Sequence, residues 1–273
     1  MSLTTYEVHG LEGKKLPLIF HYDIIEKGKI EIANWHENIE LLYFTKGMGQ
    51  VLCNSVVYEV SAGDLFIVNS GLLHYVKKDK PCEYYCLIVD SAFLAENDIP
   101  AGDIQFNNFV RSDVVSALFD RVVKELEREN SFQIAGIRSA ILSLMVHLSR
   151  YHSSGISFPK REHSNSDESI KKALAYISDH LSHKLSLEEI ASHVNLSKYH
   201  FAREFKKATG MTVVAFVNAT RCRTANRLLL SRQYSVNEVA AMCGFENNSY
   251  FSKTFKRVMG CLPSEVGKAS HGI

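Results

Sequence analysis

The chain repeats itself once towards its carboxyl end. "LSLEEIASHVNLSKYHFAREFKKATG" (185–210) aligns with "YSVNEVAAMCGFENNSYFSKTFKRVMG" (234–260), the second copy carrying one extra residue in its turn. Glu189, Ala191, Phe201, Phe205, Lys206 and Gly210 return as Glu238, Ala240, Phe251, Phe255, Lys256 and Gly260, at a spacing of 49 to 50 residues. A period seen only twice means two copies of one small unit and excludes a solenoid. Each unit reads as a short helix with a small residue at its centre, a tight turn ("NLS" or "GFEN") and a longer helix with aromatics on one face. Ser186, Ser197 and Ser235 are N-cap residues, and Gly210 closes a helix. This is the pattern of a helix-turn-helix. Ala191 and Ala240 let the paired helices approach closely, so that the second helix offers its outer face to a major groove.

Charge separates this half from the rest. Residues 167–273 hold 15 Lys and Arg against 9 Asp and Glu, net +6, whereas residues 1–166 hold 16 against 21, net −5. The basic half suits a polyanion. A lone helix-turn-helix match also fits an ordinary helical bundle with a solvated basic face; two matches in one basic segment favour DNA.

The segment from about 168 to 266 resembles the DNA-binding domain of the AraC family of bacterial transcriptional regulators. "NEVAAMCGFENNSYFSKTFKRVMGCLPSEV" is close to that family's signature, and "TRCRTANRLLLS" is similar to its long helix between the two units. Val213 and Gly267 depart from the pattern, at positions that do not face a groove. The resemblance implies that Asn247, Asn248, Ser249, Ser252 and Lys253 face base edges, with Lys256 and Arg257 placed for phosphate, while Tyr250, Phe251 and Phe255 hold the helix to its domain. In the first unit the equivalent face is Lys198, Tyr199, Ala202 and Arg203, with Lys206 and Lys207 behind. Arg203 is the sharper reader there, since Ala202 reaches little beyond a thymine methyl.

The other half is β-rich. From residue 17 to about 90, short apolar segments ("LPLIFHYDII", "IELLYFTKG", "GQVLCNSVVYEV", "GDLFIVNSG", "CEYYCLIVD") are punctuated by Gly47, Gly49, Gly63 and Gly71, at the spacing of a sandwich or barrel. His36, Glu40 and Gly47, then Gly63, Gly71 and His74, fall at the spacing of the two cupin motifs, with Asn34 in place of the first motif's His and Asn69 in place of the second's Pro. His36, Glu40 and His74 are expected to come from separate strands and point inward, where a polar ligand, water, a metal or one another must satisfy them. Two imidazoles and a carboxylate suit a transition ion. The resemblance to AraC regulators implies instead a metal-free receptor for a small effector, often a sugar, so the three are assigned to effector binding, with no metal and no cofactor. From about 111 to 152 the apolar period becomes helical, with a break at Asn130-Ser131; these two helices are core or a dimer contact, and the resemblance favours the latter.

The expected architecture is α+β: a cupin-like β-barrel with a helical hairpin at 1–152, a polar linker at 153–169, and an all-α domain at 170–273 whose two helix-turn-helix units are joined by a long helix. Six cysteines without CxxC spacing read as free thiols of a reducing compartment. The start "MSLTTYEVHG" lacks signal-peptide character, and "IAGIRSAILSLMVHLSRYH" carries too much charge to span a membrane, so a cytoplasmic protein is expected. The expected function is sequence-specific transcriptional regulation under a small-molecule effector, with no catalytic residue. Its partners are double-stranded DNA, the effector, a second copy of the chain and RNA polymerase. The alternative is a metal-dependent cupin enzyme with a helical accessory domain.

Overall fold

The computed structural model describes residues 11, 15–25, 32–77, 80–128, 131–156 and 165–266. They group into two compact units, one β-rich and one helical.

In the β-rich unit, β1 (Leu18–Ile25), β6 (Cys82–Val89), β2 (Ile39–Cys53), β4 (Leu65–Val68) and β8 (Phe109–Val110) lie side by side in that order, and β3 (Val56–Ser61) and β5 (His74–Lys77) pair with the far end of β2. A second small sheet pairs β7 (Ile104–Phe106) with β9 (Ser153–Ile156). The fold is cupin-like, as expected, and the pairing among the described residues leaves the sheet open.

The long strand β2 organises the unit. The sequence suggests a break at Gly47–Gly49, yet one strand continues through it: β2 pairs with β6 and β4 at its start, turns a corner with an irregularity between Phe44 and Lys46, and pairs with β3 and β5 at its end. Gly47 makes this corner feasible. Its φ is +75°, and a Cβ there would lie 2.3 Å from the Pro81 carbonyl oxygen. The true reversal is Asn54–Ser55, both at positive φ (48° and 64°), as a tight hairpin turn demands.

Alternation along β2 sends Ile39 and Leu41 to one face and Glu40, Leu42 and Phe44 to the other, and all five are buried. The first face packs on helices α2 (Asp113–Glu127) and α3 (Gln133–Tyr151), where Phe119, Val122, Ile141 and Leu144 are enclosed. The second closes over Val51, Val60, Phe66 and Val76. A short helix α1 (Ser91–Glu96) follows β6, capped by the Asp90 carboxylate on the Ala92 N–H. The predicted break between α2 and α3 falls where Phe132 adopts φ 68°; Asn130 lies outside the described residues.

The helical unit comprises α4 (Asn165–Asp179), α5 (Leu187–His193), α6 (Lys198–Thr209), α7 (Val213–Leu230), α8 (Val236–Met242) and α9 (Asn248–Met259), ending in a 3-10 turn at Pro263–Glu265. The stretch expected to be a linker bears strand at one end and helix at the other; residues 157–164 and Gly267 lie outside the described residues. The repeat is reproduced in the caps of its first helices and in the glycines that end its second. Ser186 with Glu189, and Ser235 with Glu238, form capping boxes, so the repeated glutamate serves helix starts. Gly210 and Gly260 end α6 and α9 at φ 71° and 83°. Each turn contains an equivalent bond, Leu196 N–H to Ala191 O and Phe245 N–H to Ala240 O, both 3.0 Å.

Within the helical unit, α7 joins the two helix-turn-helix copies and packs on both. On α7, Phe216 meets Phe205 edge-on at 5.3 Å, and Arg221 donates from Nε to Leu181 O (2.9 Å) and from Nη2 to His183 O (2.6 Å) while covering Phe245. Against this staple sits Gly244, at φ +78°, where a Cβ would lie 2.5 Å from Leu181 O. Gly260 has a similar φ of +83° and open space around it. Gly244→Ala is therefore expected to cost about 2–4 kcal/mol and Gly260→Ala only about 1 kcal/mol. Urea denaturation of the two variants checks this; equal losses would show that the dihedral matters and the packing does not.

Candidate functional site

Two sets of residues carry chemistry, one in each unit. On the helical unit, α6 and α9 present the same face 50 residues apart. Phe201 and Phe205, and Phe251 and Phe255, are fully buried, and so fix which sides of the helices turn outward. Lys198, Tyr199, Arg203, Lys206 and Lys207 are exposed on α6, with Ala202 half-buried between them. Asn248, Ser249, Lys253, Lys256 and Arg257 are exposed on α9, with Ser252 half-buried. Tyr199 is 85% exposed.

Three details go beyond the sequence expectation. Asn247 is the N-cap of α9, its side-chain oxygen accepting from the Tyr250 N–H at 2.9 Å, which fixes the direction in which its amide NH2 points. Tyr250 is half-exposed and not a core residue; its hydroxyl accepts from the Asn218 amide at 2.8 Å. The two faces also differ electrostatically. Lys198 pairs with Glu188, and Arg203 contacts Glu204 (3.2 Å) and His200 (3.0 Å). Among the described residues, no carboxylate lies within ion-pair distance of Lys253, Lys256 or Arg257.

In the β-rich unit, His36, Glu40 and His74 do come together, and all three are buried. They do not come from three strands: His36 lies in the turn ahead of β2, Glu40 on β2 and His74 at the start of β5. A single oxygen, Glu40 Oε2, lies 2.8 Å from His36 Nε2 and 2.8 Å from His74 Nε2. The Cys86 thiol donates to the other oxygen, Oε1, at 3.2 Å. Behind each ring, Nδ1 faces a backbone carbonyl, Asn38 O for His36 and Leu72 O for His74, each at 2.9 Å. Burial by itself pushes the Glu40 carboxyl up, but attraction to His74 and hydrogen bonds from both imidazoles hold it well below the ordinary carboxylate value. Burial and the neighbouring Glu40 charge push the Cys53 thiol up to about 12, which leaves it protonated and inert. Of the requirements the sequence leaves open for these groups, the structure answers with mutual contact.

Residues 190–269 match the helix-turn-helix domain family and residues 30–145 match the AraC-like ligand binding domain. The chain belongs to the AraC family of transcriptional regulators. It is 27% identical over 243 residues to the HTH-type transcriptional activator RhaR of Cronobacter sakazakii, covering 84% of this chain and 83% of that one. It is 28% identical over 240 residues to the MmsAB operon regulatory protein of Pseudomonas aeruginosa, covering 84% and 75%. A stronger but more local similarity, 40% over 109 residues, links it to the regulatory protein PocR of Salmonella typhimurium, covering 38% of this chain and 36% of that protein. The ligand-binding family spans His36, Glu40 and His74, and the helix-turn-helix family spans both α6 and α9. Among the described residues, no helix is long and apolar enough to cross a membrane.

Proposed function

We propose that this AraC-family regulator reads two successive major grooves of its operator with α6 and α9, and that a small hydroxyl-rich effector, a sugar or related metabolite, binds in the β-rich unit with His36, Glu40 and His74 as its polar anchor. No catalytic step is involved. The observation that carries the DNA reading is the duplicated outer face: Lys198, Tyr199, Ala202, Arg203 and Lys206 on α6 correspond, 50 residues on, to Asn248, Ser249, Ser252, Lys253 and Lys256 on α9. Asn247 and Arg257 flank the second set. The buried aromatics beneath make both faces rigid, so that their side chains meet DNA without a cost for ordering the helices.

Arg203 and Lys253 are assigned to base edges, and Lys256 and Arg257 to phosphates. The apolar surface left on α2 and α3, where Val114, Ile134 and Tyr151 are exposed, supports pairing of two copies. Effector binding would then act on how the copies hold their DNA-binding units.

Substitutions separate base readers from phosphate contacts. Arg203→Ala or Lys253→Ala is expected to cost roughly 1–3 kcal/mol and to relax preference at one operator position, whereas Lys256→Ala weakens all sequences alike. Binding measured across a panel of single-base operator variants decides the matter. An unchanged preference after both base-facing changes would remove the assignment.

A further inference from the structure

We propose that the Tyr250 hydroxyl donates to a phosphate of the operator backbone, and that Asn218, on the helix joining the two helix-turn-helix copies, is the positioning residue that aims it there. The inference rests on α9 as a DNA-facing helix and adds to it a contact that carries no charge on the protein side.

Tyr250 stands at the edge of the outward face. Phe251, Phe255 and Val258 are buried and set the inner side of α9. Tyr250 is turned about 100° from Phe251, onto the flank that it shares with Arg257 two turns later. The residue assigned to phosphate and the tyrosine thus line one side of the helix. Three contacts fix the tyrosine there. Its N–H closes the Asn247 cap at 2.9 Å, its ring centroid lies 6.2 Å from that of Phe245, and its hydroxyl oxygen accepts from Asn218 Nδ2 at 2.8 Å.

The direction of that last bond carries the inference. Asn218 is 6% exposed and Tyr250 49% exposed, so a buried amide holds a half-exposed hydroxyl from the protein side. A phenol oxygen that accepts in one direction keeps its own proton for another. That proton is left on the solvent side, and among the described residues no acceptor faces it. A phosphate oxygen only accepts, and its charge strengthens the bond.

The first copy repeats this polarity with a different residue. His200 occupies the equivalent place, 50 residues earlier and likewise third in its helix. Arg203 Nη2 lies 3.0 Å from His200 Nδ1, and a guanidinium only donates, so Nδ1 accepts and the ring proton sits on Nε2. Each copy therefore carries a neutral donor whose lone pair is engaged by one of its own N–H groups. It lies in the first turn of the second helix, the part that meets DNA in this motif. Side-chain type differs between the copies and donor chemistry does not, which fits a target common to both, the backbone phosphate.

To test this, full-length protein is titrated by fluorescence anisotropy with duplexes of the operator footprinted in its own promoter fragment, each carrying one methylphosphonate linkage. At one linkage beside the α9 half-site, the modification is expected to weaken wild type about 10-fold more than Tyr250→Phe, the effect of one hydrogen bond to a charged group. On unmodified DNA, Tyr250→Phe should weaken all base sequences alike and leave the salt slope unchanged, whereas Lys256→Ala lowers the slope by about one. Asn218→Asp, which presents only acceptors and turns the Tyr250 proton inward, should lose sensitivity at the same linkage; it takes the place of Tyr250→Phe should circular dichroism show that variant unfolded. Identical methylphosphonate profiles in wild type and variant would overturn the proposal and leave Tyr250 as a tie between α7 and α9. Should Lys256→Ala and Arg257→Ala also leave affinity unchanged, the DNA-facing role of α9 itself falls; losses in those two with none in Tyr250→Phe strike the phenol contact alone.

Discussion

Raising salt from about 50 to 200 mM is expected to weaken operator binding by the full chain roughly 10²- to 10³-fold, the range for four to six phosphate contacts that each release condensed counterion. Lys198, Lys206, Lys256 and Arg257 supply four of them, and the base-facing Arg203 and Lys253 bring further positive charge to the same faces, in a half of the chain with net charge +6. The slope should not be shared equally between them. Lys198 and Arg203 exchange an internal carboxylate for phosphate, and so contribute less to the net gain than Lys253, Lys256 and Arg257. Charge-neutralising substitutions on α9 should therefore flatten the salt dependence more than those on α6. Fluorescence anisotropy with promoter fragments from its own and neighbouring genes measures both effects; salt-insensitive binding would be incompatible with these faces as the DNA contact.

The second large effect is expected in the sensor. His36→Ala together with His74→Ala should abolish the effector's influence on transcription while leaving operator binding intact. The double change takes both nitrogen partners from Glu40 Oε2 at once, and its carboxylate, buried at 7% exposure, then keeps only the Cys86 thiol. An ionised group left in that position is costly, so the carboxyl should rise towards its neutral form and the anchor should lose both its charge and its shape. Part of the effect is thus structural. Circular dichroism and operator binding of the double variant control for it. A reporter in cells checks the response, and a double variant that responds normally to its inducer would place the effector elsewhere.

What can be read from sequence differs between the two halves, for a physical reason. In the helical unit the decisive interactions are local. A capping box closes over three residues, a C-terminal glycine over one, and the buried face of a helix recurs every three or four, so Ser186, Ser235, Gly210, Phe201 and Phe251 declare their roles in linear order. Duplication strengthens the signal, because each copy checks the other. Tyr250 and Asn247 are the exceptions. Their roles depend on Asn218, 32 residues from Tyr250, and on which atom the cap uses.

In the β-rich half the decisive contacts are remote. Gly47 resembles a turn residue until Pro81 is brought against it from across the sheet, while the real turn, Asn54–Ser55, is hidden in an apolar run. The spacing of His36, Glu40 and His74 suggests a common site, and their residue types say that it is polar. That Glu40 meets both rings through one oxygen depends on a contact across 34 residues, from the start of β2 to the start of β5, whereas the Asn38 and Leu72 carbonyls behind the rings lie two residues from each histidine. The linear sequence thus determined the two outward-facing helices and their caps, which short-range hydrogen bonding and helical periodicity dictate; only the tertiary structure decided that the buried triad meets at one carboxylate oxygen, because folding of the sheet brings a loop residue, β2 and β5 within bonding distance.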